Sequence, residues 1–92
     1  MPQIFKIGGY IIYFWANEGN PLEPVHAHVS LGIPIENSTK IWITKTGKCL
    51  LCNNNSKISP RVLKNITEVI EARNGDVTGK WLEFFGQINY YC

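Results

Sequence analysis

Two histidines, His26 and His28, stand one residue apart in the segment EPVHAHV. In an extended chain, residues i and i+2 project from one face with their bases roughly 6 to 7 Å apart. Two imidazoles so placed suit one phosphate or one metal ion, and they could also serve as base and acid in phosphodiester cleavage. They are the candidate catalytic residues of the chain. Glu23 and Glu36 are available as third ligands or proton acceptors. The same spacing also serves a purely structural end, in which the rings hydrogen-bond to the adjoining loop and hold residues 21–24 in place. Two ligands alone do not make a tight metal site, so no metal is expected.

Charge offers a second feature. The net charge of +2 is modest, but Lys40, Lys45, Lys48, Lys57, Arg61 and Lys64 follow one another with no acid between Glu36 and Glu68. Lys40, Trp42 and Thr44 share one strand face, and cations mixed with an exposed aromatic can hold a phosphate backbone and stack a base. The expected ligand-binding residues are therefore His26, His28, Trp42, Lys45, Lys48, Lys57 and Arg61, facing nucleic acid, a nucleotide or an acidic protein partner. Trp42 in the core and lysines on a merely solvated face are the plain alternative. Cys49 and Cys52 have the spacing of half a zinc knuckle, yet Leu50-Leu51 offers no tight turn and a strand would point the two thiols to opposite sides. Buried thiols without a metal fit better, and no cofactor is expected.

These groups need elements to position them. Phe5-Lys6-Ile7 and residues 10–15 are β-branched or aromatic apart from Lys6, and Gly8-Gly9 suits a two-residue turn, which predicts a hairpin over residues 3–15. Residues 17–24, with Asn, Gly and two prolines, read as a surface loop. Alternation predicts the His-x-His strand over 26–31 and two more strands over 40–45 and 48–53, joined at Thr46-Gly47. The period changes at Ser59-Pro60, a capping residue before a proline suited to the first helical position. Val62, Leu63, Ile66, Val69 and Ile70 then share a face of a helix over 59–74, which Asn74-Gly75 should end. A second helix over 76–86 carries Trp81, Leu82, Phe84 and Phe85 and stops at Gly86. Residues 87–92 fit either an added strand or a sticky tail. The fold class is α+β: a small antiparallel sheet of about four strands covered on one face by two C-terminal helices.

At 92 residues there is room for one core and a single domain. A hydrophobic fraction of 45% and a charged fraction of 17% are ordinary for a folded soluble domain. No apolar run nears the roughly 18 residues of a membrane span, and Met1-Pro2-Gln3 lacks the basic start of a signal peptide. Three cysteines agree with a reducing compartment, so no membrane contact and a cytoplasmic location are expected. Trp81, Phe84 and Phe85 are core residues, or, with the tail, a surface for homo-oligomer formation or partner docking.

The start MPQIFKIGGYIIYFW, the segments EPVHAHV and KIWI, and the final KWLEFFG together resemble the small prokaryotic family termed domain of unknown function 4160. The resemblance covers nearly the whole chain, and the hairpin joined to His-x-His is its specific part. It implies a small α+β protein of bacteria or phages that acts beside a partner in a toxin–antitoxin pair, and it implies no catalytic mechanism. After KIWI the basic, cysteine-bearing TKTGKCLLCNNNSKISPR departs from the family's mixed or acidic pattern. The expected function is a toxin–antitoxin-like module binding an acidic partner or RNA, with a weak ribonuclease activity as its bolder form. In that form His26 and His28 transfer protons and Lys48 binds phosphate. The alternative is a non-enzymatic phage anti-defence protein that sequesters a nucleotide signal or blocks a host defence protein, and a purely structural dimer is the third class.

Overall fold

The computed structural model describes residues 2–19 and 21–92. Five strands form one antiparallel sheet in chain order, where a sheet of about four was expected, and they fall on the hairpin and the three further strand segments read from the sequence. They are β1 (Gln3–Ile7), β2 (Tyr10–Tyr13), β3 (His26–Leu31), β4 (Thr39–Ile43) and β5 (Cys49–Asn53), followed by the helices α1 (Pro60–Ala72) and α2 (Asn74–Phe85). The first turn works because Gly8 takes φ of 57°, a conformation that glycine enters without a Cβ penalty. A one-turn 3-10 helix, Ala16–Glu18, follows the second strand after Phe14 and Trp15 and runs into what the composition marks as loop.

Period-2 alternation sorts the sheet into two faces. Ile12, Ala27, Val29 and Ile41 are fully buried and join Ile66, Ile70, Val77 and Trp81 of the helices in one core. The other face carries Tyr13, His28 and Lys40 in one cross-strand row, with His26 opposite Trp42 in the next. The helices cover the first of these faces, and α2 also reaches His26 of the second, whose ring lies 5.1 Å from that of Trp81.

The helix boundaries follow local chemistry. The Ser59 hydroxyl accepts from the Val62 N–H at 3.4 Å, and Pro60 opens α1. Asn74-Gly75 does not end that helix in a left-handed cap as its composition suggests. Arg73 makes the break instead, at φ −114° and ψ 27°, and α2 starts at once. Its guanidinium donates to Asp76 at 2.8 Å and lies 4.0 Å from the Phe5 ring centroid, while the Asn74 amide donates to the Glu71 carbonyl at 2.7 Å. Gly86 does adopt the left-handed cap, with φ of 77° and its N–H on the Leu82 carbonyl.

Residues 87–92 form neither a ladder strand nor a detached tail. The Val25 N–H donates to the Asn89 carbonyl at 2.8 Å and the Lys45 N–H to the Cys92 carbonyl at 3.0 Å. Tyr91 stacks on Trp42 at 4.8 Å between centroids and 3° between planes. Trp81 is fully buried against Phe14 and Phe85, so it cannot serve the self-association surface suggested by composition, and of that group Phe84 and Tyr91 stay exposed. The Trp81 indole N–H has no hydrogen-bond partner among the described residues, so this side chain contributes through packing alone. Trp81→Ala is expected to lower stability by about 3–5 kcal/mol and Tyr91→Ala by about 1 kcal/mol, read as urea midpoints at constant slope; equal losses would contradict this placement of the core.

Candidate functional site

The two histidines share a face of β3, as their spacing dictates, but they do not face water. His26 is fully buried and His28 is 7% exposed, because Glu18 of the 3-10 turn folds over them. Its Oε2 sits 2.7 Å from His26 Nε2 and 2.9 Å from His28 Nε2, and its Oε1 accepts the Trp15 N–H at 2.6 Å. Glu18 was not among the acids singled out from the sequence. Glu23 instead pairs with Lys40 at 2.8 Å, and Glu36 stands at a cleft beside the site. The available signal was spacing: a Glu three residues into a turn reaches back to the N–H of the residue preceding it, and Trp15-Ala16-Asn17-Glu18 has that interval without a usual capping residue at its head.

Hydrogen-bond direction fixes the His26 ring. The Pro24 carbonyl lies 2.8 Å from His26 Nδ1, and a carbonyl can only accept, so Nδ1 carries hydrogen. His28 Nδ1 lies 3.3 Å from Ser38 Oγ, which shares a 2.6 Å hydrogen bond with the Tyr13 hydroxyl, and that hydroxyl also meets the Ile35 carbonyl at 3.1 Å. Both Nε2 atoms point at one carboxylate oxygen.

That oxygen lies in a tight electrostatic environment. Burial by itself would raise the Glu18 pKa, but hydrogen bonds from His26, His28 and the Trp15 N–H, together with the charge of His26, outweigh it and hold the carboxyl far below its usual range. Around the pair the contacts are aromatic: His26 lies 5.1 Å from Trp81 and 5.6 Å from Trp42, and His28 stacks on Tyr13 at 5.6 Å. The Glu18–His28–Ser38 order matches that of an orienting acid, a base and a nucleophile, but Ser38 is 1% exposed and its hydroxyl is engaged by Tyr13. The serine works as a brace.

His28 lies at the wall of a cleft of about 650 Å³ that is also lined by Trp15, Asn17, Ser38, Asn53 and Asn55. The Asn53 to Ile58 loop is locked in place: the Thr39 N–H donates to Ser56 Oγ at 2.9 Å, Ser56 Oγ donates to the Val29 carbonyl at 2.8 Å, and Asn54 bridges Thr39 and Ile58. The basic run is split. Lys40 lines the cleft, and Lys57 within the locked loop and Arg61 at the start of α1 are exposed. Lys45 and Lys48 stand at the turn beyond the far end of β4, so the structure does not bring them to His26 and His28. Trp42 is half-buried between Tyr91 and the Lys40 ammonium, which is 4.4 Å from its ring centroid. Trp15, which was not singled out from the sequence, is the tryptophan at the cleft.

The thiols differ from expectation too. Cys49 is half-buried under α1 and its Sγ donates to the Thr67 carbonyl at 3.7 Å, while Cys52 and Cys92 are exposed. Burial and then the Glu71 carboxylate push the Cys49 thiol up to about 12. Among the described residues the one group of three or more candidate metal-ligating side chains that converges is Glu18, His26 and His28.

The model of the family described as domain of unknown function (DUF4160) matches residues 9–82, and the chain belongs to that family. No curated protein and no solved structure gives a match. No helix among the described residues is long and apolar enough to cross a membrane.

Two expectations follow from the site. Removing one partner from a buried charged cluster strands the others, so Glu18→Ala should cost about 3–5 kcal/mol, whereas Glu23→Ala should cost at most about 1 kcal/mol; denaturant titrations compare them, and similar losses would deny Glu18 its role. Iodoacetamide at mildly alkaline pH should label Cys52 and Cys92 and spare Cys49, since the thiolate is the reactive form. The folded chain holds the Cys49 proton more tightly than the unfolded one, so this thiol favours unfolding as pH rises from 9.0 towards about 12.

Proposed function

We propose that this member of the DUF4160 family is a binding module that takes a base of single-stranded RNA into the cleft beside His28, within a toxin–antitoxin-like pair. One observation carries the reading: the cleft is lined by Trp15 together with Asn17, Asn37, Asn53 and Asn55. A flat ring can stack on any base, and amides offer donor and acceptor together, which suits the edge of an unpaired base. A volume of about 650 Å³ falls in the range of small-ligand pockets.

Charge argues for a base rather than a phosphate as the group held inside. Lys40 at the cleft is matched by Glu23, and Glu36 adds an acid to the lining. Lys57, two residues beyond Asn55, and Arg61 are exposed and suit a backbone running past the mouth. Binding without cleavage is the form supported here, because a two-imidazole acid–base mechanism needs both rings at the reacting bond and His26 is fully buried.

Sequestration of a free nucleotide is the second reading, favoured by the cleft volume of about 650 Å³. Anisotropy of labelled single-stranded RNA, with calorimetry of mononucleotides alongside, separates the two. The expected result is RNA binding that Trp15→Ala weakens roughly 10- to 100-fold, in line with the loss of one base stack, with RNA recovered intact. Binding of mononucleotides alone would transfer the assignment to sequestration, and binding of neither, or an effect of Lys45→Ala equal to that of Trp15→Ala, would overturn it.

A further inference from the structure

Three electron-pair donors meet in the interior of this protein. His26 Nδ1 donates to the Pro24 carbonyl, and His28 Nδ1 is engaged by Ser38 Oγ at 3.3 Å. Each ring presents Nε2 to the same Glu18 oxygen, at 2.7 and 2.9 Å, and all three atoms lie within 4.8 Å of one another. Two nitrogen lone pairs and a carboxylate oxygen at that range repel unless positive charge lies between them. A proton on each Nε2 can supply it, but with Nδ1 of His26 already a donor this makes that ring an imidazolium in a site largely closed to water, where charge is costly. One dication supplies the same charge at one point.

We infer that Glu18, His26 and His28 form a binding site for a divalent transition-metal ion of the zinc or ferrous class. Two neutral imidazoles and one carboxylate are the donor set such ions take in three-ligand sites. The surroundings have the form that accompanies metal ligation, in which the second nitrogen of each histidine donates to a carbonyl or hydroxyl and so sets ring orientation and tautomer. Glu18 Oε1 is held by the Trp15 N–H, which leaves Oε2 as a single ligand atom. A tetrahedral ion with bonds of roughly 2.1 Å separates its ligand atoms by roughly 3.4 Å, so the two contacts on Glu18, at 2.7 and 2.9 Å, must open by about 0.7 and about 0.5 Å, within reach of small side-chain rotations. Three protein ligands leave a fourth position. His28 also lines the cleft, which makes the cleft the side from which an ion and a fourth ligand arrive.

Neither the thiols nor the family assignment enters this inference, and it stands whether or not the cleft takes RNA. The test uses the full chain, stripped with a chelator, confirmed as folded by circular dichroism, then titrated with Zn²⁺ against a chromophoric competitor. One ion per chain is expected. In long-range proton–nitrogen spectra of the wild type, Nε2 of both histidines should shift on adding Zn²⁺ while both Nδ1 stay protonated, a readout that needs no variant to fold. His28→Gln should weaken affinity by more than the roughly 10- to 100-fold typical of an outer-shell change, and Ser38→Ala, which removes a positioning residue, should fall inside that range. Alkylation of Cys52 and Cys92 should leave binding intact. Absence of stoichiometric binding by the folded wild type, histidine nitrogens that do not move, or binding abolished by alkylation would each overturn the assignment.

Discussion

A single carboxylate oxygen organises the polar half of this molecule. Glu18 Oε2 receives both histidines of β3, and to do so the chain after β2 must curl through one 3-10 turn and bring an acid back over the sheet. Everything on that face follows from the closure: the rings are shut away, Trp15 is turned to the cleft edge, and the Tyr13–Ser38 brace ties the connection after β3 to the strand before it. A buried acid is tolerated because both its oxygens are engaged, and a cluster so satisfied defines one arrangement where an apolar patch would allow several.

How much of this could be read in the chain depended on whether the determinant was local. The first hairpin, the His-x-His strand and the start of α1 rest on neighbouring residues: Gly8-Gly9 between β-formers, alternation from His26, and Ser59-Pro60 before a period of three to four. The membership of His26 and His28 in one face was legible for the same reason. Their burial was not, since it depends on an acid eight and ten residues away whose turn looks like plain loop composition. Asn74-Gly75 misled by type, as a break at Arg73 made a left-handed cap unnecessary. The tail gave no periodic signal because it is held by two backbone bonds and one ring stack.

The basic run illustrates the gap between order in sequence and order in space. Consecutive lysines without acids suggest one positive patch, yet an antiparallel pair sends the middle of such a run to the far end of the sheet and returns it. Lys40 and Asn53 are opposite one another at the cleft end, while Lys45 and Lys48 sit at the intervening turn. Charge that is contiguous along the chain is here spread along the strand axis, and the cleft itself is close to neutral, with Lys40 answered by Glu23 and Glu36 nearby.

The order of strands in the sheet has a bearing on how quickly the protein reaches its folded state. Every strand pairs with its neighbour in sequence, so each ladder can zip from a nearby reversal and the loop-closure entropy is spread over small steps. The widest of those reversals is the one joining β2 to β3, which holds Glu18. Its two flanking hairpins can therefore assemble ahead of it, and the docking of the acid onto the rings becomes a late event, one that stabilises the finished state against opening more than it hastens its formation.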